Sequence, residues 1–151
     1  MDRLKGHLLR RGRVSECGRP YLLTIVTRYR LPLFNDMRYA RTAIGQLRKA
    51  EQESAFRSLA WVLMPDHLHW LIELGEVPLE RVVRRFKSRS SRAILEVGGP
   101  SGGIWQPGFH DRALRRDEDI RAVARYIVAN PRRAGLTQHL GDYSHWDAVW
   151  L

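Results

Sequence analysis

Residues 58–74 read SLAWVLMPDHLHWLIEL. The runs SLAWVLM (58–64) and HLHWLIEL (67–74) are extended and apolar. The Pro65-Asp66 pair between them is a turn signal whose proline cannot donate to a ladder, so the segment predicts a β-hairpin. Strand alternation sends Leu68, Trp70 and Ile72 toward a core and turns His67 and His69 together to the other face.

Upstream, YLLTIVTRY (21–29) is β-branched and aromatic, long enough for a strand and too short for a helix, and Pro32 stops it. From Arg38 to Glu53 the apolar residues Ala40, Ala43, Ile44, Leu47 and Ala50 recur at steps of three and four, with Arg41, Arg48 and Lys49 off the stripe. That spacing predicts an amphipathic helix. Beyond Gly75, the positions Leu79, Val82, Val83, Phe86, Ser90, Ala93 and Ile94 mark a second helix, whose remaining face carries Arg81, Arg84, Arg85, Lys87, Arg89 and Arg92. Gly98 to Gly103 reads as a flexible loop, and IWQPGFHDRALR (104–115) as a fourth strand broken at Pro107-Gly108. Asp117 is the expected N-cap of a third helix running to about Asn130, with Glu118 and Asp119 in its first turn. The aromatic tail YSHWDAVWL is expected to pack back on the domain. The order β-α-β-β-α-β, plus a C-terminal helix, predicts an α+β, ferredoxin-like split βαβ sandwich, an antiparallel sheet with helices on one face. Residues 1–19 are basic and Gly-punctuated and read as an arm that orders against a partner, with the domain itself spanning 20–151.

The chain has 151 residues, 44% of them hydrophobic, which suits one domain and argues against a two-domain enzyme. Its formal charge of +10 points to a polyanionic partner, and Arg supplies 23 of the 26 cations. A guanidinium fork grips phosphate oxygens two at a time, although the base composition of the source genome produces the same bias. Cys17 alone excludes an intrachain disulfide and a CxxC site. The start MDRLKGHLLRRGRV lacks the apolar core of a signal peptide, and no run approaches the roughly 20 apolar residues of a membrane span. A cytoplasmic protein is the expectation.

His67 and His69, one strand step apart on one face, can chelate a divalent cation if one or two further ligands join them. On its own the pattern more often marks a pair of rings merely hydrogen-bonded on a sheet surface. Tyr126 and Asn130 lie four apart near the end of the third helix and so project from the same side. Asn130 offers an amide oxygen to a metal. It also fits the N-cap of one short extra turn in ANPRRAGL, with Pro131 at N1 and Gly135 as the stop, and the two roles are compatible. Tyr126 fits a half-buried helix aromatic, yet Ile120, Val123, Ala124 and Ile127 already supply the apolar stripe, while Arg125, Arg132 and Arg133 bring positive charge that favours a phenolate.

The blocks MPDHLHWLIEL, WQPGFHDRALR and YIVANPRRAGL, in this order and spacing, resemble those of the REP-associated tyrosine transposases, a branch of the single-strand DNA transposases with an HUH nuclease centre. The resemblance runs from about Pro20 to Trp150. It implies a ferredoxin-like sheet with a catalytic tyrosine on a C-terminal helix. Residue by residue, it implies that His67 and His69 bind metal, that Tyr126 is the nucleophile and that Asn130 takes the third-ligand position. The wider group often has glutamine there, so in this chain a shorter side chain must reach the same ion. His110 and Asp111 fall where the family has similar residues.

The implied reaction is attack of the Tyr126 oxygen on a phosphodiester of single-stranded DNA, giving a 5′-phosphotyrosine and a free 3′-hydroxyl. The covalent link conserves the energy of the phosphodiester and allows rejoining. An ordinary tyrosine has a pKa near 10 and is only about one part in a thousand ionised at neutral pH, so a divalent ion acting as Lewis acid is expected. Phosphate chemistry and the family favour Mg²⁺ or Mn²⁺, while imidazole ligands also suit zinc. DNA contact is expected from Arg84, Arg85, Lys87, Arg89 and Arg92 of the second helix and from Arg115, Arg116, Arg125, Arg132 and Arg133, each of which alone also fits a solvated face. The resemblance implies a hairpin-forming single strand as substrate, with monomer and homodimer both compatible. Two rival readings stand beside it: a non-catalytic single-stranded nucleic-acid-binding protein of ferredoxin-like fold, and a hydrolase whose metal activates water.

Overall fold

In the computed structural model, which describes residues 15–53, 56–115, 118–136, 143 and 145–149, the hairpin forms as predicted. β2 (Arg57–Met64) and β3 (His67–Glu73) pair antiparallel across Pro65-Asp66. β1 (Pro20–Val26) lies along the other side of β3, and β4 (His110–Ala113) along β1. Helix α1 (Met37–Glu53) links β1 to β2, and α2 (Leu79–Glu96) precedes β4. After β4 come α3 (Ile120–Val128), the short α4 (Asn130–Arg133) and β5 (Trp146–Ala148). The sheet order is β4-β1-β3-β2-β5, the split βαβ arrangement with one added strand.

Two cores form, one on each face. Tyr21, Leu23 and Ile25 of β1 and Leu68, Trp70 and Ile72 of β3 join the apolar stripes of α1 and α2. Every apolar position expected to lie on the α2 stripe is buried except Ala93, and Ser90 earns its place by accepting the Trp105 indole N–H at 2.8 Å while donating to Phe86 O at 2.6 Å. On the opposite face Val62, Met64 and Leu71 pack against Ala124, Ile127 and Val128 of α3. The two helices inside the sandwich thus share one face as expected, and the C-terminal helix covers the other. Its apolar stripe needs a partner, and the second face of β2 supplies one.

Several boundaries differ from expectation. β1 ends at Val26 and not Tyr29, because Tyr29 and Arg30 adopt left-handed backbone (φ 58° and 52°) that no ladder accommodates. The fourth strand shrinks to His110–Ala113, with Trp105 touching Thr27 through a single bridge. The predicted cap Asp117 lies outside the described residues, as do Arg116 and most of the basic arm. The cap of α3 is Asp119, whose carboxylate accepts the N–H groups of Arg121 (3.0 Å) and Ala122 (3.2 Å). Replacing Asp119 with alanine is expected to cost about 1 kcal/mol, read as a lower denaturant midpoint at unchanged slope. The extra turn after α3 forms with Gly135 at its stop (φ 75°), but Ala129 and not Asn130 occupies its N-cap position, without any side-chain cap. The arm's last residues meet the domain: Gly18 N–H donates to Leu74 O at 2.6 Å. From the tail, β5 pairs with β2.

Candidate functional site

Register fixes the site before any side chain is considered. Thr24 of β1 stands opposite His69 on one side and opposite His110 on the other, so His69, Thr24 and His110 form one row across the sheet. That row lies on the α3 face, since Leu71 and Val62 of the same face are buried under α3. Asp111, opposite Leu23, belongs to the other face.

The two rings of the predicted pair meet edge to face with centroids 4.7 Å apart. Each is held by its Nδ1. His67 Nδ1 lies 2.7 Å from Asp66 Oδ1, and His69 Nδ1 lies 3.0 Å from Thr24 Oγ1. The Asp66 carboxylate takes its hydrogen bond from His67 Nδ1–H, and when His69 Nδ1–H likewise donates to the Thr24 hydroxyl, both Nε2 lone pairs face a ligand, which is how metal-binding histidines are oriented. Burial, then the charges of His67 and Arg133, push the His69 imidazole down to about 4, so it is neutral at physiological pH, the form that binds metal. Burial works to raise the Asp66 carboxyl, but its bond to His67 and the charges of His67 and Arg30 outweigh this and hold it below the usual carboxylate range. Arg30 reaches Asp66 Oδ2 at 3.1 Å and completes a chain Arg30–Asp66–His67. Burial also pushes the His110 imidazole below its ordinary value.

Tyr126 projects from α3 with 65% of its surface exposed. The Arg133 guanidinium lies over its ring, 3.9 Å from the centroid, and donates to its backbone carbonyl at 2.6 Å. The same guanidinium is close enough to depress His69. Arg133 thus packs on the tyrosine of α3 and adds positive charge on the His69 side of the sheet. Asn130, one turn beyond Tyr126, is partly buried, and its amide makes no hydrogen bond among the described residues, so the competing cap role is absent and its oxygen is available. Among the described residues no group of three or more His, Cys, Asp or Glu gathers into a metal-holding cluster. The residues present fit a divalent ion: two imidazoles on one sheet face, each oriented through its Nδ1.

The predicted DNA-contacting cations fall into two groups. Arg125, Arg132 and Arg133 stand on the α3 and α4 layer with Tyr126, and Arg115 follows β4. Arg84, Arg85 and Arg92 are exposed on α2, across the sheet from the histidines. Several are already engaged: Arg115 with Glu118 and Arg125 with Asp119, each at 3.9 Å. Arg89 pairs with Glu53, and the Lys87 ammonium, pushed down to about 8 by burial, binds Gln106 O at 2.6 Å and Gly108 O. Sequence reasoning missed the anchors Asp66, Thr24 and Arg30. The signals were present, an acid directly before the first histidine and a threonine at the in-register strand position, but only pairing identifies them.

A model of the family described as "Transposase IS200 like" matches residues 18–130. The chain belongs to the IS200-like transposase family. Among curated relatives of this transposase-family chain is the REP-associated tyrosine transposase of Escherichia coli strain K12, 29% identical over 97 residues, which are 63% of this chain and 56% of the relative. The match thus spans little more than half the length of that relative. A Haemophilus influenzae protein assigned to the same group is 25% identical over 143 residues, 85% of this chain and 78% of its own. Among solved structures, a REP-associated tyrosine transposase bound to a REP hairpin superposes with a TM-score of 0.76 at 25% identity, covering 89% of this chain and 79% of that one. Among the described residues of the IS200-like chain, no helix is long and apolar enough to cross a membrane.

Proposed function

We propose that the protein nicks and rejoins single-stranded, hairpin-forming DNA of the REP kind through a 5′-phosphotyrosine at Tyr126. The observation that carries this reading is the pair of histidines oriented through their Nδ1 atoms on the sheet face that α3 covers, with the exposed Tyr126 on that helix and the Arg133 guanidinium over its ring. The family match and the REP hairpin held by the related structure support the substrate class. His67 and His69, with Asn130 or water, would hold Mg²⁺ or Mn²⁺. When bound, such an ion supplies Lewis-acid polarisation of a non-bridging phosphate oxygen. Tyr126 Oη forms the bond to phosphorus, the bond to O3′ breaks, the departing oxygen takes up a proton and the phenol proton passes to solvent. Reversal by another 3′-hydroxyl rejoins strands without external energy. Arg133 stands beside the nucleophile, and Arg125 and Arg132 flank it with charge suited to the scissile phosphate and its neighbours.

Incubating the protein with labelled hairpins carrying single-stranded flanks, with Mg²⁺ or Mn²⁺, is expected to give a denaturant-resistant protein–DNA adduct that a protease removes. Cleavage without adduct would favour attack by water, and binding without cleavage the non-catalytic reading. Salt dependence separates the two sets of cations. Arg132→Ala is expected to lower the slope of log affinity against log salt by about 0.7, the value of one phosphate contact on a single strand. Arg89→Ala, which removes a guanidinium already paired with Glu53, is expected to leave the slope unchanged.

A further inference from the structure

The segment following β1 holds an aromatic ring in solvent at a conformational cost. Tyr29 is 79% exposed, with φ 58° and ψ 17°, and Arg30 beside it has φ 52°. Two consecutive non-glycine residues in the left-handed region persist only where surroundings over-determine them, and such outliers gather at functional sites. The surroundings are plain. Thr27 donates its N–H and its hydroxyl to Asp66 O (2.9 and 3.0 Å), and Phe34 N–H donates to Pro65 O at 3.0 Å. Arg30 grips the Asp66 carboxylate, whose other oxygen holds His67. The strained turn is thus clamped onto the residue that orients the first histidine, and nothing in that clamp requires a tyrosine at position 29.

The ring has companions suited to a nucleic acid. Arg28 lies 5.7 Å from the ring centroid, donates to Gly102 O at 2.9 Å and leaves its buried Nε without a partner among the described residues. Between Tyr29 and the 100–104 loop opens a cavity of about 130 Å³, lined by Leu31, Leu33, Pro100 and Ile104 as well as Arg28. Its size suits one flat heterocycle better than a length of sugar-phosphate chain. An apolar slot with an aromatic wall and a guanidinium among its lining matches an unpaired base, whose faces are apolar and whose edges accept hydrogen bonds.

We propose that Tyr29 and Arg28 form a seat for one unpaired base of the DNA strand flanking the bond opened at the histidine pair. The seat rests on the function proposed above and adds to it a place where the single-stranded flank, as opposed to the hairpin stem, is gripped. The Arg30–Asp66–His67 chain sets the seat at a fixed position relative to the histidine, so an occupied seat fixes which phosphate lies over the pair.

The test uses hairpins with 2-aminopurine at successive positions of the flank. With native protein, one position is expected to lose fluorescence by stacking. Tyr29→Gly suits the left-handed backbone better than tyrosine does, so it keeps or raises thermal stability while removing the ring. It is expected to abolish that quench and weaken binding of flanked hairpins about 10-fold or more, the size of one lost base–aromatic stack, while hairpins without a flank bind as before. Tyr29→Trp is expected to restore both. Native protein that shows no quench at any flank position, or a Tyr29→Gly variant that binds flanked DNA as tightly as native, overturns the seat whatever the adduct assay gives. A quench that Tyr29→Gly abolishes, in a protein that forms no adduct, upholds the seat and overturns only the catalytic reading.

Discussion

Tyr126→Phe is expected to eliminate the covalent protein–DNA adduct and to leave hairpin affinity close to that of the native protein. The substitution removes one oxygen and little else. The phenol makes no hydrogen bond among the described residues, the ring remains under the Arg133 guanidinium, and the backbone carbonyl that Arg133 binds is untouched. Helix α3 keeps Ala124, Ile127 and Val128 against the sheet, so neither fold nor DNA surface should change. Loss of a catalytic nucleophile lowers turnover by on the order of 10³-fold or more. Strand cleavage followed on a denaturing gel, with affinity measured by titration of the same labelled hairpin, reads both quantities. An adduct that persisted in the phenylalanine variant would require another nucleophile.

His67→Ala combined with His69→Ala is expected to stop cleavage while hairpin binding survives. The two imidazoles contribute no large part of the core: His67 and His69 are only partly buried, and Leu68 and Trp70 between and beside them carry the packing. Chelation of divalent ions should reproduce the double variant in the native protein, and added Mg²⁺ or Mn²⁺ should reverse chelation but not the double substitution. Asp66→Asn is a gentler probe, because it leaves both rings and weakens only the carboxylate that orients His67. Loss of such an outer partner usually costs 10- to 100-fold in metal affinity or activity, so excess metal should recover part of the rate. Undiminished cleavage under chelation would remove the ion from the reaction.

Much of this architecture was legible in the chain. The hairpin over 58–74 could be read because the alternation around His67, Leu68, His69 and Trp70 admits one register, and slipping by a single residue would bury both histidines. The helices α1 and α2 could be read because their apolar residues repeat at helical spacing. An amphipathic stripe, however, says that a helix has a buried face and not which side of the sheet receives it. That is why α3 on the opposite face was not foreseen. The local conformation of Tyr29 escaped for a related reason: YLLTIVTRY has strand composition to its end, and only the grip of Thr27 and Arg30 on Asp66 overrides that propensity. The anchors Thr24 and Asp66 are likewise products of pairing. The candidate nucleophile and metal ligands, by contrast, were named from spacing and family likeness, and the fold sets the helix that carries Tyr126 on the sheet face that carries His67 and His69.

Strand β5 has a consequence for handling the protein. β2 is buried along seven of its eight residues, and β5 pairs with it through Ala60, Trp61 and Val62. Without that cover, a long apolar strand would stand at the sheet margin with unpaired amides, the usual starting point for intermolecular strand addition. Proteolytic clipping ahead of Trp146 should therefore yield a species that self-associates and precipitates even while its hairpin and helices stay folded, and preparations should be checked for an intact carboxyl end before any loss of solubility is blamed on DNA.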